Sequence, residues 1–324
     1  MRINRTGRGL STAAEGRSAR QTGAVIQSTW VRTAELDAFG PWILPVTTQD
    51  EVPPLFRPAV DLAGARLALK VPRPLERRTV RAGMDLYDSL VLLRDEGLEV
   101  LVRTPHGPRG FERRWLGGSD VIAVEDSTAM LDGLLRLHVL GGEPLEVPYN
   151  GSSSAVVANL VGEIRSFWRP GPTLAEPVGE RLSPDVLGAA DIGLVNHLRD
   201  LQFRDPQLRP VLLRPRHRAV RRGGRRVLDR AWPVALQAAI VCATASELVV
   251  VHRRSWLARG FESALSLATT VVPLERGVSA QVVDHPALPG LRLVRLRPTD
   301  ITLTAAAGDG LVDEVTRLLG PNHD

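Results

Sequence analysis

The sequence predicts a mainly β (α+β) fold: two duplicated antiparallel β-barrel-like modules, each closed by a C-terminal α-helix. Three observations predict it. A long stretch of the chain recurs 150 residues later, short Val- and Leu-rich runs separated by glycine turns fill both copies, and each copy ends on one amphipathic helical pattern.

The recurrence is anchored on RGFE, at 109–112 and again at 259–262. Laid without a gap over 238–275, residues 88–125 match at Val91/Val241, Leu98/Leu248, Val100/Val250, Arg103/Arg253, all of RGFE, Val121/Val271 and Glu125/Glu275. Most other apolar positions fall opposite apolar ones. Beyond Glu125 the second copy needs seven more residues before Gly133/Gly290, Leu134/Leu291, Leu137/Val294, Val139/Leu296 and Gly151/Gly308 come back into step. A lengthened surface loop accounts for such a gap, and VSAQVVDHPALPG is expected to be that loop. The period exceeds that of solenoid repeats, so the reading is a duplicated domain and not a stack.

In chain order, residues 1–28 read as a disordered basic arm, with no apolar segment of the kind a secretory signal needs. Residues 40–168 form the first module with an N-terminal extension, whose GPWILPV and ARLALKVPRPLERRTV supply an added strand. SLVLL, LEVLV, WLGGSDVIAV, LLRLHVL and PLEVPY are strand-like runs with DEG and GG turns between them, a spacing that favours antiparallel neighbours. Val156, Val157, Leu160, Val161, Ile164 and Phe167 then share one helical face behind Ser caps. Residues 169–233 form a linker with one helix, SPDVLGAADIGLVNHLRDLQF, capped by Ser183, and an Arg-rich stretch. Residues 234–320 repeat the plan and finish in a helix carrying Leu311, Val312, Val315, Leu318 and Leu319, capped by Asp309 and closed by Gly320.

Strands first and a capping helix last is an order that resembles the pleckstrin-homology-like (PH-like) barrel, and in particular tandem bacterial PH-like domains, over about 85–168 and 234–320. The resemblance implies a binding scaffold whose ligand is a phospholipid headgroup, a peptide or a protein surface. Phosphoinositide-binding PH domains carry a basic loop between early strands. The matching positions are Arg103, His106, Arg109, Arg113 and Arg114 in the first copy, and His252, Arg253, Arg254 and Arg259 in the second.

Composition bounds the rest. With 324 residues, 44% hydrophobic and 24% charged, the chain can bury two cores. Its 41 basic and 36 acidic residues give a net charge of +5, which permits acidic partners without requiring them. Lys70 is the sole lysine, and Cys242 the one cysteine, at an expected core position. One cysteine excludes a disulfide framework or a cysteine-rich zinc site within the chain and points to a reducing cytoplasm, with the membrane periphery as a second location.

Two basic regions are candidate contacts. In the Arg-rich stretch, Arg218, Arg221, Arg222, Arg225 and Arg226 suit anions or nucleic acid, although no aromatic residue interleaves them and a solvated linker is the favoured reading. In HRRSWLARGF, Trp256 and Leu257 form an apolar tip collared by Arg253, Arg254 and Arg259, suited to a membrane or partner contact; packing of Trp256 back onto its own domain or its sister is the competing reading. GxSxG, HExxH, P-loop and CxxC motifs are all missing, and the seven histidines fall singly. No catalytic residue, metal or cofactor is therefore assigned. The expected function is non-catalytic binding or scaffolding with a protein partner. The alternatives are anionic-membrane or nucleic-acid binding through the basic segments, and an enzyme with a dispersed site in the cleft between modules.

Overall fold

The computed structural model describes residues 34–81, 83–105, 109–168, 184–219, 234–259 and 265–321; the arm expected over 1–28 lies outside them. The fold is mainly β, with several antiparallel sheets and few helices. The first half runs α1 (Ala34–Ala38), β1 (Leu44–Pro45), β2 (Leu67–Pro72), β3 (Tyr87–Leu93), β4 (Gly97–Arg103), β5 (Phe111–Gly117), β6 (Val121–Ala129), β7 (Asp132–Val139), β8 (Leu145–Asn150) and α2 (Ser154–Arg165). The middle supplies α3 (Ile192–Arg204), β9 (Arg209–Arg214) and β10 (His217–Ala219). The second half runs β11 (Val234–Leu236), β12 (Ala239–Ala243), β13 (Glu247–His252), β14 (Leu257–Arg259), β15 (Ser266–Pro273), β16 (Ser279–Asp284), β17 (Leu291–Arg297), β18 (Thr302–Ala306) and α4 (Leu311–Leu319).

Four sheets result, ordered β1-β2-β3-β4-β5, β8-β7-β6-β15-β13-β12-β9, β10-β11-β14 and β16-β17-β18. All are open, where two closed barrels were expected. Strand β6 bonds to β15 of the other half, from Val124↔Val271 to Ala129↔Ser266, so its backbone groups are satisfied across a seam between the halves. The expected linker also holds a strand of the shared sheet, because β9 pairs with β12.

The recurrence in the sequence maps onto this topology in part. Val91 faces Val100 in the β3–β4 hairpin, and Val241 faces Val250 in β12–β13, so the 150-residue step holds there. It breaks earlier than expected. Leu98 faces Leu116 on β5, whereas Leu248 faces Val272 on β15, so the counterpart of Leu116 is Val272 and not Ser266. The extra residues enter between β13 and β15, where β14 lies. VSAQVVDHPALPG, expected as the lengthened loop, instead contains β16, a strand whose alternate residues are exposed and which therefore lacks a continuous apolar run. Phe111 and Glu112 open β5, Arg259 ends β14, and 260–262 lie outside the described residues.

Alternation across the seven-stranded sheet sends Val249, Val251 and Val271 to one face and Leu248, Val250 and Val272 to the other. The first face is covered by α2, through Val157, Leu160, Val161 and Ile164, and by α3, through Leu194, Val195 and Leu198. The second is covered by α4, through Leu311 and Val315, and by β16–β18. Each such side chain contributes about 1.5–3 kcal/mol on burial, so the two halves are held as one packed body.

The helix ends differ in detail from expectation. Helix α3 starts at Ile192 and not after Ser183, because Gly188 takes φ 78° and divides the preceding residues into two 3₁₀ turns. Before α2, Ser153 Oγ accepts the Ile43 N–H at 2.9 Å, tethering the N-terminal extension. At α4, Asp309 Oδ1 accepts the Leu311 N–H at 3.0 Å.

Candidate functional site

The central seam of the large sheet is polar. Asp126 lies opposite Thr269 and Glu125 opposite Thr270, so each face of the sheet receives one carboxyl and one hydroxyl. On the helical face, Asp126 and Thr269 floor a cleft of about 450 Å³ between α2 and α3, with Val161, Leu201, Val249 and Val271 as its apolar lining. Both halves contribute to it, and Ala158, His197, Leu201 and Arg204 also line an adjoining pocket.

Asp126 Oδ1 accepts the Tyr149 hydroxyl at 2.6 Å, and Oδ2 accepts no bond among the described residues. Burial pushes this carboxyl up to about 6, against the partial relief of the Tyr149 bond. The Tyr149 phenol is itself pushed upward by burial and by the Asp126 charge. The ring reaches this position over Gly133, its cross-strand neighbour, where a Cβ would stand 2.5 Å from it. His197 Nε2 lies 2.7 Å from Thr269 Oγ1, and burial holds its imidazole below the usual range, favouring the neutral form.

Further along the cleft, Arg165 donates through Nε to Glu247 at 3.0 Å and through Nη2 to Asp205 at 2.8 Å. Those three groups satisfy one another. Arg204, the last residue of α3, makes no hydrogen bond or ion pair among the described residues. Gly162 also lines the cleft. A Cβ there would meet nothing within 4 Å, so packing does not require glycine, although glycine costs a helix about 1 kcal/mol relative to alanine.

On the opposite face of the seam the polar groups pair with one another. His138 Nε2 lies 2.9 Å from Glu125 Oε2, and its Nδ1 lies 2.8 Å from Asp300 Oδ1. His252 Nε2 lies 3.0 Å from Thr270 Oγ1, its Nδ1 donates to the Arg253 carbonyl at 2.7 Å, and its ring stacks on Trp256 at 4.5 Å. Burial alone would push the Glu125 carboxyl up, but the His138 hydrogen bond and the His138, His252 and Arg136 charges together hold it below the usual range.

The residues singled out in the sequence do not converge. Arg253 is 1% exposed: it donates to the Ser266 carbonyl and to the buried Asp191, each at 2.9 Å, so it is a core ion pair and not a surface contact. Trp256 packs back between His252 and Arg214, whose guanidinium lies 5.2 Å from its ring, and Leu257 packs with a small apolar cluster. The apolar tip expected there is absent, because β14 pairs with β11 and draws the segment inward. Arg254 bonds Asp132 at 2.5 Å, and Arg113 lies 2.7 Å from Glu99. Arg103 is half-buried near Asp88, Arg109 is exposed in a turn, and Arg218 is exposed on β10. The Arg259 side chain, His106, Arg221, Arg222, Arg225 and Arg226 lie outside what is described.

Sequence reasoning missed Asp126, Tyr149, Gly162, His197 and Arg204. It also missed a second concavity of about 930 Å³, walled by Phe39, Pro41, Trp42, Pro74, Leu131 and Tyr149, in which Trp42 is 51% exposed. No group of His, Cys, Asp or Glu suited to a metal ion occurs among the described residues, and no helix among them is long and apolar enough to cross a membrane. No protein-family model, curated protein or solved structure matches this chain.

Proposed function

We propose that the protein is a non-catalytic binding protein built of two related PH-like halves, with the cleft along their seam as its ligand site. The order of strands followed by one helix, seen twice, supports the PH-like reading. The ligand site rests on one observation: a half-buried carboxyl with a free oxygen and an unpaired guanidinium line the same concave space, whose lining mixes polar and apolar side chains. Of the groups a catalytic reading would use, Glu247 and Asp205 are both engaged by Arg165, and the base that stands beside a hydroxyl is His197, 2.7 Å from Thr269 Oγ1. Membrane or nucleic-acid binding draws no support from Arg214 and Arg253, which are buried.

The test fills the cleft. Ligand-observed NMR against a library of small polar fragments is run on the wild type and on Gly162→Phe. Fragments that bind the wild type are expected to lose their signal in the variant while thermal stability is kept. Unchanged binding in the variant, or a library with no binders, contradicts the assignment.

A second reading keeps the protein partner, favoured by the exposed Trp42 in its proline-lined groove. A partner held there is lost on Trp42→Ala and retained in Gly162→Phe, the reverse of the cleft result.

A further inference from the structure

We propose that the ligand of the cleft is a small zwitterion with an apolar body, its ammonium group paired with Asp126 and its anionic group with Arg204. The proposal rests on the cleft being the ligand site and adds the chemistry of what fills it.

Asp126 is a half-buried carboxyl with no cation bonded to it. Arg254, whose charge bears on the neighbouring Tyr149, is bonded to Asp132, and Tyr149 occupies only Oδ1. A neutral donor on Oδ2 would satisfy the lone pairs and leave the desolvated charge uncompensated, whereas an ammonium group does both. The anionic end of a ligand has one partner available. Arg165 is already paired with two carboxylates, Glu247 and Asp205, and burial favours neutral His197, so the unpaired Arg204 is the cation left to receive it. The same lining includes Val161, Leu201, Val249 and Val271, which accept a hydrocarbon group. Gly162 keeps that volume open.

Isothermal titration with L-phenylalanine, L-leucine, phenethylamine and 3-phenylpropanoate separates the contributions. At least one of the two amino acids is expected to bind, and for L-phenylalanine each single-charge analogue is expected to bind at least tenfold more weakly. Asp126→Asn and Arg204→Gln each reduce amino-acid affinity at least tenfold, and Gly162→Phe abolishes it. Affinity rises between pH 5 and 7.5 as Asp126 loses its proton. Tyr149, His197, Asp200, Arg204 and Arg254 also face this region, so the trend belongs to Asp126 only if Asp126→Asn flattens it. Equal binding of 3-phenylpropanoate and L-phenylalanine, an unaltered Asp126→Asn, or no binding of either amino acid overturns the proposal. Library fragments that still bind the wild type and not Gly162→Phe would then leave the cleft assignment standing; their absence removes both.

Discussion

Glu125 and Asp126 are consecutive residues on one strand, at one seam, and their proton affinities are displaced in opposite directions. The pleat sends Glu125 to a face where His138, His252 and Arg136 surround it, and its charged form is favoured. It sends Asp126 to a cleft where its one protein bond is to Tyr149, and its charged form is disfavoured. Burial is common to both, so the difference lies in the partners. A carboxyl compensated from within the protein is structural, whereas one left uncompensated beside open space is placed to meet something else.

Four changes break or sharpen this contrast. The largest effect is expected from Asp126→Asn at high pH. The folded carboxyl titrates near 6 against 3.8 for the ordinary group, so the folded state holds the proton more tightly. Stability is therefore lost as pH rises from about 4 through 6, by up to ~3 kcal/mol. Asp126→Asn removes that loss, so its stability relative to the wild type should rise across this window in urea denaturation. Next is Glu125→Gln, with the opposite slope. A carboxyl held low contributes stability above its unfolded value and loses it as pH falls through its folded value, so the variant should be destabilised by about 1–3 kcal/mol at pH 7 and by less at low pH. Parallel pH profiles for the two variants would erase the distinction.

Smaller effects come from the cleft walls. Gly162→Ala should stabilise the apo protein by about 0.5–1 kcal/mol, measured as a raised denaturation midpoint, because the helix gains and nothing clashes. Destabilisation would mean the space is needed for the fold. Arg204→Gln should shift stability by less than about 0.5 kcal/mol, since it breaks no contact among the described residues, and should alter binding alone.

The mainly β character and the two terminal helices of the halves were legible because apolar period and glycine turns are local signals: β3, β4, β7, α2 and α4 all fall on runs visible in the sequence. The seam was not. Residues Glu125 to Ala129 are largely polar, so β6 seemed to end at Val124, and the following turn uses Met130 at φ 57° in place of a glycine. Its partner β15 lies about 140 residues away, and no local pattern encodes that pairing. The cleft draws Asp126, Gly162, His197, Arg204 and Thr269 from separate elements, so no motif could announce it. Arg253 was misplaced for a different reason. In a chain whose cations are nearly all Arg, composition does not separate an exposed guanidinium from one neutralised in the core by Asp191.

The most direct test of the central claim is amide chemical-shift mapping with the tightest fragment from the wild-type screen. Perturbations centred on Asp126, Gly162, His197 and Thr269, and absent from Gly162→Phe, are the predicted result. Perturbations centred on Trp42 and Leu131, with the seam unmoved, would contradict it.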